Sequence, residues 1–197
     1  LHSNTTTTQL SSKTIKLKIK IMSTTKWAVD PTHSEIGFKV KHLMFTNVSG
    51  KFTSFDASVT TEGDDFDTAV FEFSADVDSI NTNNTDRDNH LKTGDFFDAE
   101  QFPKLTFKST SFEKESEGEY TLTGDMTLHG VTKPVTLNVE FGGLQKDPWG
   151  NIKSGFSATG KINREDFGLT YNAALEAGGV MLGKEVKLDI ELQFVKQ

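Results

Sequence analysis

From residue 35 onward, apolar and polar side chains alternate with a period of two in one segment after another. In "EIGFKVK", Ile36, Phe38 and Val40 fall on one face; in "FDASVT", Phe55, Ala57 and Val59 oppose Asp56 and Ser58. "VFEFSADVDS" sets Phe71, Phe73, Ala75 and Val77 against Glu72, Ser74, Asp76 and Asp78, and Leu105 and Phe107 continue the pattern in "KLTFKS". The same phase runs through Tyr120, Leu122, Gly124, Met126 and Leu128, then Val135, Leu137, Val139 and Phe141, then Phe156, Ala158 and Ile162. It ends with Val186, Leu188, Ile190, Leu192 and Phe194. Successive side chains of a strand point to opposite faces, so these are strands with one dry and one wet side, eight or nine of them.

Connections such as "TEGDD", "ESEGE" and "KDPWGN" are short and rich in turn formers. They join antiparallel neighbours and leave no room for repeated helical crossovers, while a parallel sheet would need nearly continuous apolar strands. A sandwich or a closed barrel remains. Long strands near residues 47–60, 69–79 and 103–113 would leave long unpaired edges in an open sheet, and closure removes them. The expected fold is all-β, a closed antiparallel barrel.

With 197 residues, 35% of them hydrophobic, the chain is long enough for one substantial core and short for two. The opening "LHSNTTTTQLSSKTIKLKIKI" reads as a tail or upstream segment over 1–21, and 22–197 as a single domain starting at "MSTTKWAVD". In the tail every second residue of the apolar part is lysine, which is not a secretory signal core, so a cytoplasmic location is expected, or a periplasmic one if a native signal segment is missing. No apolar run approaches the roughly 20 residues of a transmembrane helix. The net charge is −7, and the first 21 residues carry Lys13, Lys16, Lys18 and Lys20 without an acid, so the remainder is more acidic still. Such a surface does not suit nucleic acid. There is no cysteine for a disulfide or a thiolate nucleophile.

"RDNHLKTGDFFDAEQFPKLTFKS" interrupts the alternation. Thr85 and Asp88 have capping-box spacing, and Gly94 suits a left-handed position after a short helix over about 86–93. The element is expected to lay Leu91, Phe96 and Phe97 over an open barrel end, with Arg87 and Asp88 making local pairs. The chemical alternative, His90 with Asp88 or Asp95, lacks an HxH, HExxH or cysteine set to complete a metal shell. His33 and Ser34 are neighbours in a strand and so point apart, and no nucleophile elbow surrounds them. His42 sits at a strand end and His129 in a turn. Arg164, Glu165 and Asp166 either tie down a bend or meet a ligand headgroup at the barrel mouth.

Four blocks together carry a resemblance: "WAVDPTHSEIGFKVKHLMFTNVSGKF", "SINTNNTDRDNHLKTGDFFDAEQFPKLTFKST", "YTLTGDMTLHGVTKPVTLNVEF" and "DPWGNIKSGFSATGKINREDFGLTYN". In this order and spacing, over about residues 26–195, the chain resembles the YceI-like, polyisoprenoid-binding family. The resemblance implies a lipocalin-like eight-stranded barrel with a helical insertion, an elongated cavity for a polyisoprenoid or other long-chain lipid, a homodimer and a link to stress response. It implies no catalytic residue, no metal and no cofactor beyond the bound lipid.

Sixteen phenylalanines against two tyrosines and two tryptophans agree with such a wall, which offers bulk with little hydrogen bonding. The expected ligand-binding set, drawn from the inward phase, is Phe38, Phe71, Phe73, Phe107, Leu122, Met126, Leu137, Phe156 and Leu188. Periodicity does not distinguish a tunnel from a filled core. His33, His42, His90, Arg164 and Asp166 are the candidate polar-end contacts. Two other functions stand beside the carrier: an enzyme acting on a lipid headgroup through these same polar residues, and a structural or stress protein without a ligand.

Overall fold

The computed structural model describes residues 23–176 and 178–197. The expected tail over 1–21 lies outside the described residues. Eleven strand segments form one antiparallel sheet that closes on itself where β1 (Thr24–Val29) pairs with β11 (Leu182–Lys196). The remaining segments are β2 (Glu35–His42), β3 (Thr46–Phe52), β4 (Phe55–Glu62), β5 (Asp65–Asp76), β6 (Ile80–Asn81), β7 (Lys104–Ser116), β8 (Glu119–Leu128), β9 (Val131–Lys146) and β10 (Ile152–Asn163). One helix, α1 (Thr85–Leu91), joins β6 to β7.

Eleven segments make eight staves because three staves are broken. β1 and β2 lie end to end along the same edge of β11, with Val29 opposite Phe194 and Glu35 opposite Glu191. β3 and β4 follow them on the next stave, interrupted at Thr53 and Ser54, and β5 and β6 on the third, interrupted by a 3₁₀ turn over Val77–Ser79. The single strand expected over residues 47–60 is therefore two.

Side chains bridge the breaks where the ladder cannot. At the first break, the Gln193 N–H donates to Ser34 Oγ at 2.9 Å, and Ser34 Oγ donates to the Asp30 carbonyl at 2.8 Å. At the other two, Thr53 Oγ1 donates to the Ser79 carbonyl at 3.1 Å and Ser79 Oγ to the Asp76 carbonyl at 2.7 Å, beside backbone bonds from Thr53 N–H to the Ser79 carbonyl and from Asp76 N–H to that of Ser54. Backbone groups freed by a break need partners, and the short hydroxyl side chains at these positions supply them, mostly as donors to carbonyls.

The antiparallel order places the 62–65, 116–119 and 146–152 turns at one barrel end, and the 42–46 tip, α1, the 128–131 turn and the 163–182 segment at the other. The first end is plugged by rings: Phe66 stands 4.8 Å from Trp27 and 4.7 Å from Phe141, and Phe156 stands 4.9 Å from Phe141 and 5.8 Å from Phe194, between centroids. Tilted and edge-on aromatic packing of this kind buries large area in a fixed geometry.

Candidate functional site

Between the plug and α1 the interior holds two apolar cavities of about 100 Å³ each. The one nearer the plug is lined by Phe38, Phe71, Phe73, Phe107, Leu122, Met126, Leu137, Phe156 and Leu188, all nine of the expected wall residues, together with Ile36, Ile190, Leu192, Phe194 and others. The one nearer α1 is lined by Leu91, Phe96 and Phe97, the three expected cover residues, with Val40, Leu128, Ile162, Leu169, Leu182 and Val186 among the rest. Phe38, Phe52, Leu105, Met126 and Leu188 border both. They form a waist between two chambers of one lumen. Phe156 has a second duty, since its ring also belongs to the plug.

The interior stays open because of glycines at inward positions, a signal absent from any reading of bulky residues alone. A Cβ built on Gly50 would lie 2.4 Å from the Phe38 ring, one on Gly124 2.4 Å from the Phe107 ring, and one on Gly160 2.5 Å from Leu137. Gly50 and Phe38 are register partners, as are Gly160 and Leu137. Each large side chain therefore lies flat over a neighbouring stave instead of reaching for the axis, and the axis is left unfilled.

The cover is fixed by a polar knot between α1 and the residues just before it. Asn84, not Thr85, caps α1, with its side chain accepting from Arg87 N–H at 2.9 Å. Asp88 is turned away from the helix end to accept from Thr82 N–H at 2.8 Å and from Thr82 Oγ1, while Arg87 Nε donates to that hydroxyl at 2.7 Å. The buried Thr82, which the cap pattern does not reveal, is the knot's centre. Gly94 is not in the left-handed region; α1 ends at Lys92 in right-handed conformation, and tight turns then fold Phe96 and Phe97 back under it. Phe97 meets Phe52 edge-on at 6.4 Å and Phe96 meets Tyr171 at 4.8 Å.

The five candidate polar contacts do not converge. His33 lies on the outer wall, with Nδ1 2.9 Å from Asp30, beside a groove edged by Glu117, Glu140 and Glu191. Asp30 also accepts from Thr32, whose hydroxyl is the main cause holding this carboxyl well below the usual carboxylate range, and from Lys153 at 3.2 Å. This cluster locks the first stave break. His42, His90, Arg164 and Asp166 all belong to the covered end. His90 Nε2 is 2.8 Å from Asp95, half-exposed, and His42 stands at the 42–46 tip. Asp166 is exposed.

Arg164 is 3% exposed and borders the chamber under α1, yet its charged end faces protein. Nε donates to the Gly183 carbonyl at 2.8 Å, and Nη1 donates to the carbonyls of Leu169 and, at 3.0 Å, Tyr171. Burial lowers its pKa, but arginine starts so high that the group stays charged. Its donors are taken up in tying the 168–183 segment to the end of β10, the bend-fixing alternative raised by the sequence. Among the described residues no group of three or more His, Asp or Glu side chains could hold a metal.

A family model described as the YceI-like domain matches residues 27–194. The Staphylococcus aureus (strain N315) protein called UPF0312 protein SA2479 is 44% identical over 171 residues, which cover 86% of this chain and 97% of that protein. Among solved structures, the Campylobacter jejuni YCEI protein superposes with a TM-score of 0.69 at 33% identity, over 80% of this chain and 90% of its own. A domain from Saccharophagus degradans described as polyisoprenoid binding shares the fold, with a TM-score of 0.58 at 15% identity over 87% of this chain and 98% of its own. The match runs from the first stave to the last strand, through the waist and the cover alike, and on that extent the chain belongs to the YceI-like domain family.

Proposed function

We propose that this protein binds and carries a long-chain lipid, foremost a polyisoprenoid, in the barrel lumen, without covalent chemistry. The carrying observation is the pair of apolar chambers kept open by inward glycines, with polar candidates confined to the outer wall and the mouth. A prenyl chain presents many carbons and no polar directionality, and each fully buried methylene contributes about 0.8 kcal/mol. Arg164, which borders the chamber under α1, directs its donors to backbone carbonyls, so chain length and girth set preference.

Each chamber is well below the roughly 300–1,000 Å³ of a typical ligand pocket. A bound chain therefore runs through both, and the side chains of Phe38, Phe52 and Met126 at the waist turn aside to admit it. An apolar cavity of this size stays dry, so a chain entering it displaces no ordered water.

Native mass spectrometry of the purified full chain, followed by lipid extraction, tests this directly. One long-chain lipid per barrel is expected, with the same mass before and after release. A protein that stays empty when offered prenyl lipids, or that returns a chemically altered lipid, overturns the reading.

A further inference from the structure

The tip between β2 and β3 carries three apolar residues in succession, and it exposes them. Leu43 is 37% exposed, Met44 61% and Phe45 83%. Leu43 and Met44 also sit in the left-handed region, with φ of 50° and 66°, where glycine or asparagine would be unstrained. Neither solvent nor turn geometry favours these side chains here, so something else is needed to cover them.

Around the tip, in a protein of net charge −7, lysines gather. Lys39, Lys41, Lys184 and Lys187 line one groove with Met44, against a single acid, Glu185, which pairs with Lys161 at 3.2 Å. Lys39 and Lys187 are direct register partners, a like-charge pairing that opposes sheet stability. Asp189 answers Lys39 and Glu165 answers Lys184, both at 2.9 Å, whereas Lys41 and Lys187 make no salt bridge among the described residues.

We infer that this tip docks the covered end of the barrel onto an anionic lipid bilayer. Met44 and Phe45 enter the headgroup boundary, and Lys41 and Lys187 meet the lipid phosphates. A protein partner fits less well, because a stable interface takes about 800 Å² from each side and a protruding three-residue tip supplies a fraction of that. An apolar tip ringed by cations suits an interfacial depth, where both contributions add. The tip lies at the same barrel end as α1, so docking brings the lumen's mouth to the lipid source. The inference deepens the carrier reading by naming where exchange takes place, and vesicle binding is read separately from lipid content.

The test is flotation of the full chain with vesicles of phosphatidylcholine alone and of phosphatidylcholine mixed with phosphatidylglycerol. The parent is expected to bind only the anionic vesicles, less as salt is added. Met44→Ser with Phe45→Ser, and separately Lys41→Glu with Lys187→Glu, should each weaken binding at least about tenfold with the fold intact by circular dichroism. The tail lysines are present in every variant; if they carry the binding, the tip variants bind like the parent and the inference fails. It fails equally if sedimentation shows a parent dimer that the tip variant splits, which assigns the surface to a second copy. Lipid extraction on the same samples separates the two readings, since an empty parent sinks the carrier while leaving docking to stand or fall on the vesicles.

Discussion

Gly124 sits between Leu122 and Met126 on the inward face of β8, and a methyl group there would also stand 2.5 Å from the Lys108 carbonyl oxygen. Backbone cannot step aside as a side chain can, so Gly124→Ala drives the Phe107 ring toward the axis. We expect a loss of about 1–3 kcal/mol, typical of overpacking, and a smaller lipid load at equal protein. Calorimetry and lipid extraction check the two halves; an unchanged melting temperature would mean that the staves yield freely. Tyr120 gives a pH signature. Its hydroxyl donates to Asp67 at 2.7 Å and its ring stacks on Phe112 at 4.3 Å. Burial first, and then the Asp67 contact, push its pKa up to about 12 from an ordinary value near 10. The folded state thus prefers the neutral phenol, so this contribution is whole below about pH 10 and lost as pH rises toward about 12. Denaturant titrations at stepped pH should show that decline in the parent and a flatter curve in Tyr120→Phe.

Among the elements, α1 with its following turns is an insertion in a meander of strands that packs across the end of the barrel. Its span, expected over about 86–93 from Thr85, Asp88 and Gly94, falls within two residues of the observed Thr85–Leu91, and Phe96 and Phe97 line the chamber beneath it. The cap was misplaced by one residue, because Asp88 has a stronger partner in the buried Thr82 than in its own helix. Capping patterns count local offers and omit competitors brought by the fold. Phe97→Ala removes the edge-on contact with Phe52 and should cost about 1–3 kcal/mol of local burial, less if the site collapses. Under the carrier reading its mark is faster lipid exchange with the same lipid mass released. His90→Ala leaves Leu91, Phe96 and Phe97 in place, and no product should be gained or lost with it. Fluorescent-lipid exchange alongside product analysis reads both variants, and unchanged exchange in a folded Phe97 variant would end the cover assignment.

For the molecule as a whole, closure depends on a short seam between the first strand and the last. Trp27, Ala28 and Val29 pair with Lys196, Val195 and Phe194, and Gln197 N–H donates to the Lys26 carbonyl at 2.9 Å. Trp27 is fully buried there, its Nε1–H donating to Thr61 Oγ1 at 3.0 Å and its ring against Phe66. Trp27→Ala should cost about 3–5 kcal/mol, concentrated at the plugged end. Hydrogen exchange should then quicken first in β1 and in the last residues of β11, Phe194 to Lys196, with the urea midpoint lowered. Protection lost evenly around the barrel would show that the seam is not a separate weak point. The seam joins residues far apart in the chain, so loop closure precedes its reward and folding is expected to be slow.

Period-two alternation by itself determined which side of each strand is dry, and short turn-rich connections determined that neighbours are antiparallel. Both are local properties, written within a few residues. For the same reason nine side chains that line the chamber nearer the plug could be placed on inward strand faces before any tertiary contact was known. The tertiary structure decided what lies across from each of them. Whether Phe38, Phe107 and Leu137 fill the axis or lie flat depends on Gly50, Gly124 and Gly160 on adjoining staves. Arg164 is aimed by carbonyls five to nineteen residues away, and the first break in the wall is closed by Gln193 reaching Ser34. A strand's phase fixes direction; the room at the end of that direction belongs to residues the chain brings from elsewhere, and only folding sets that distance.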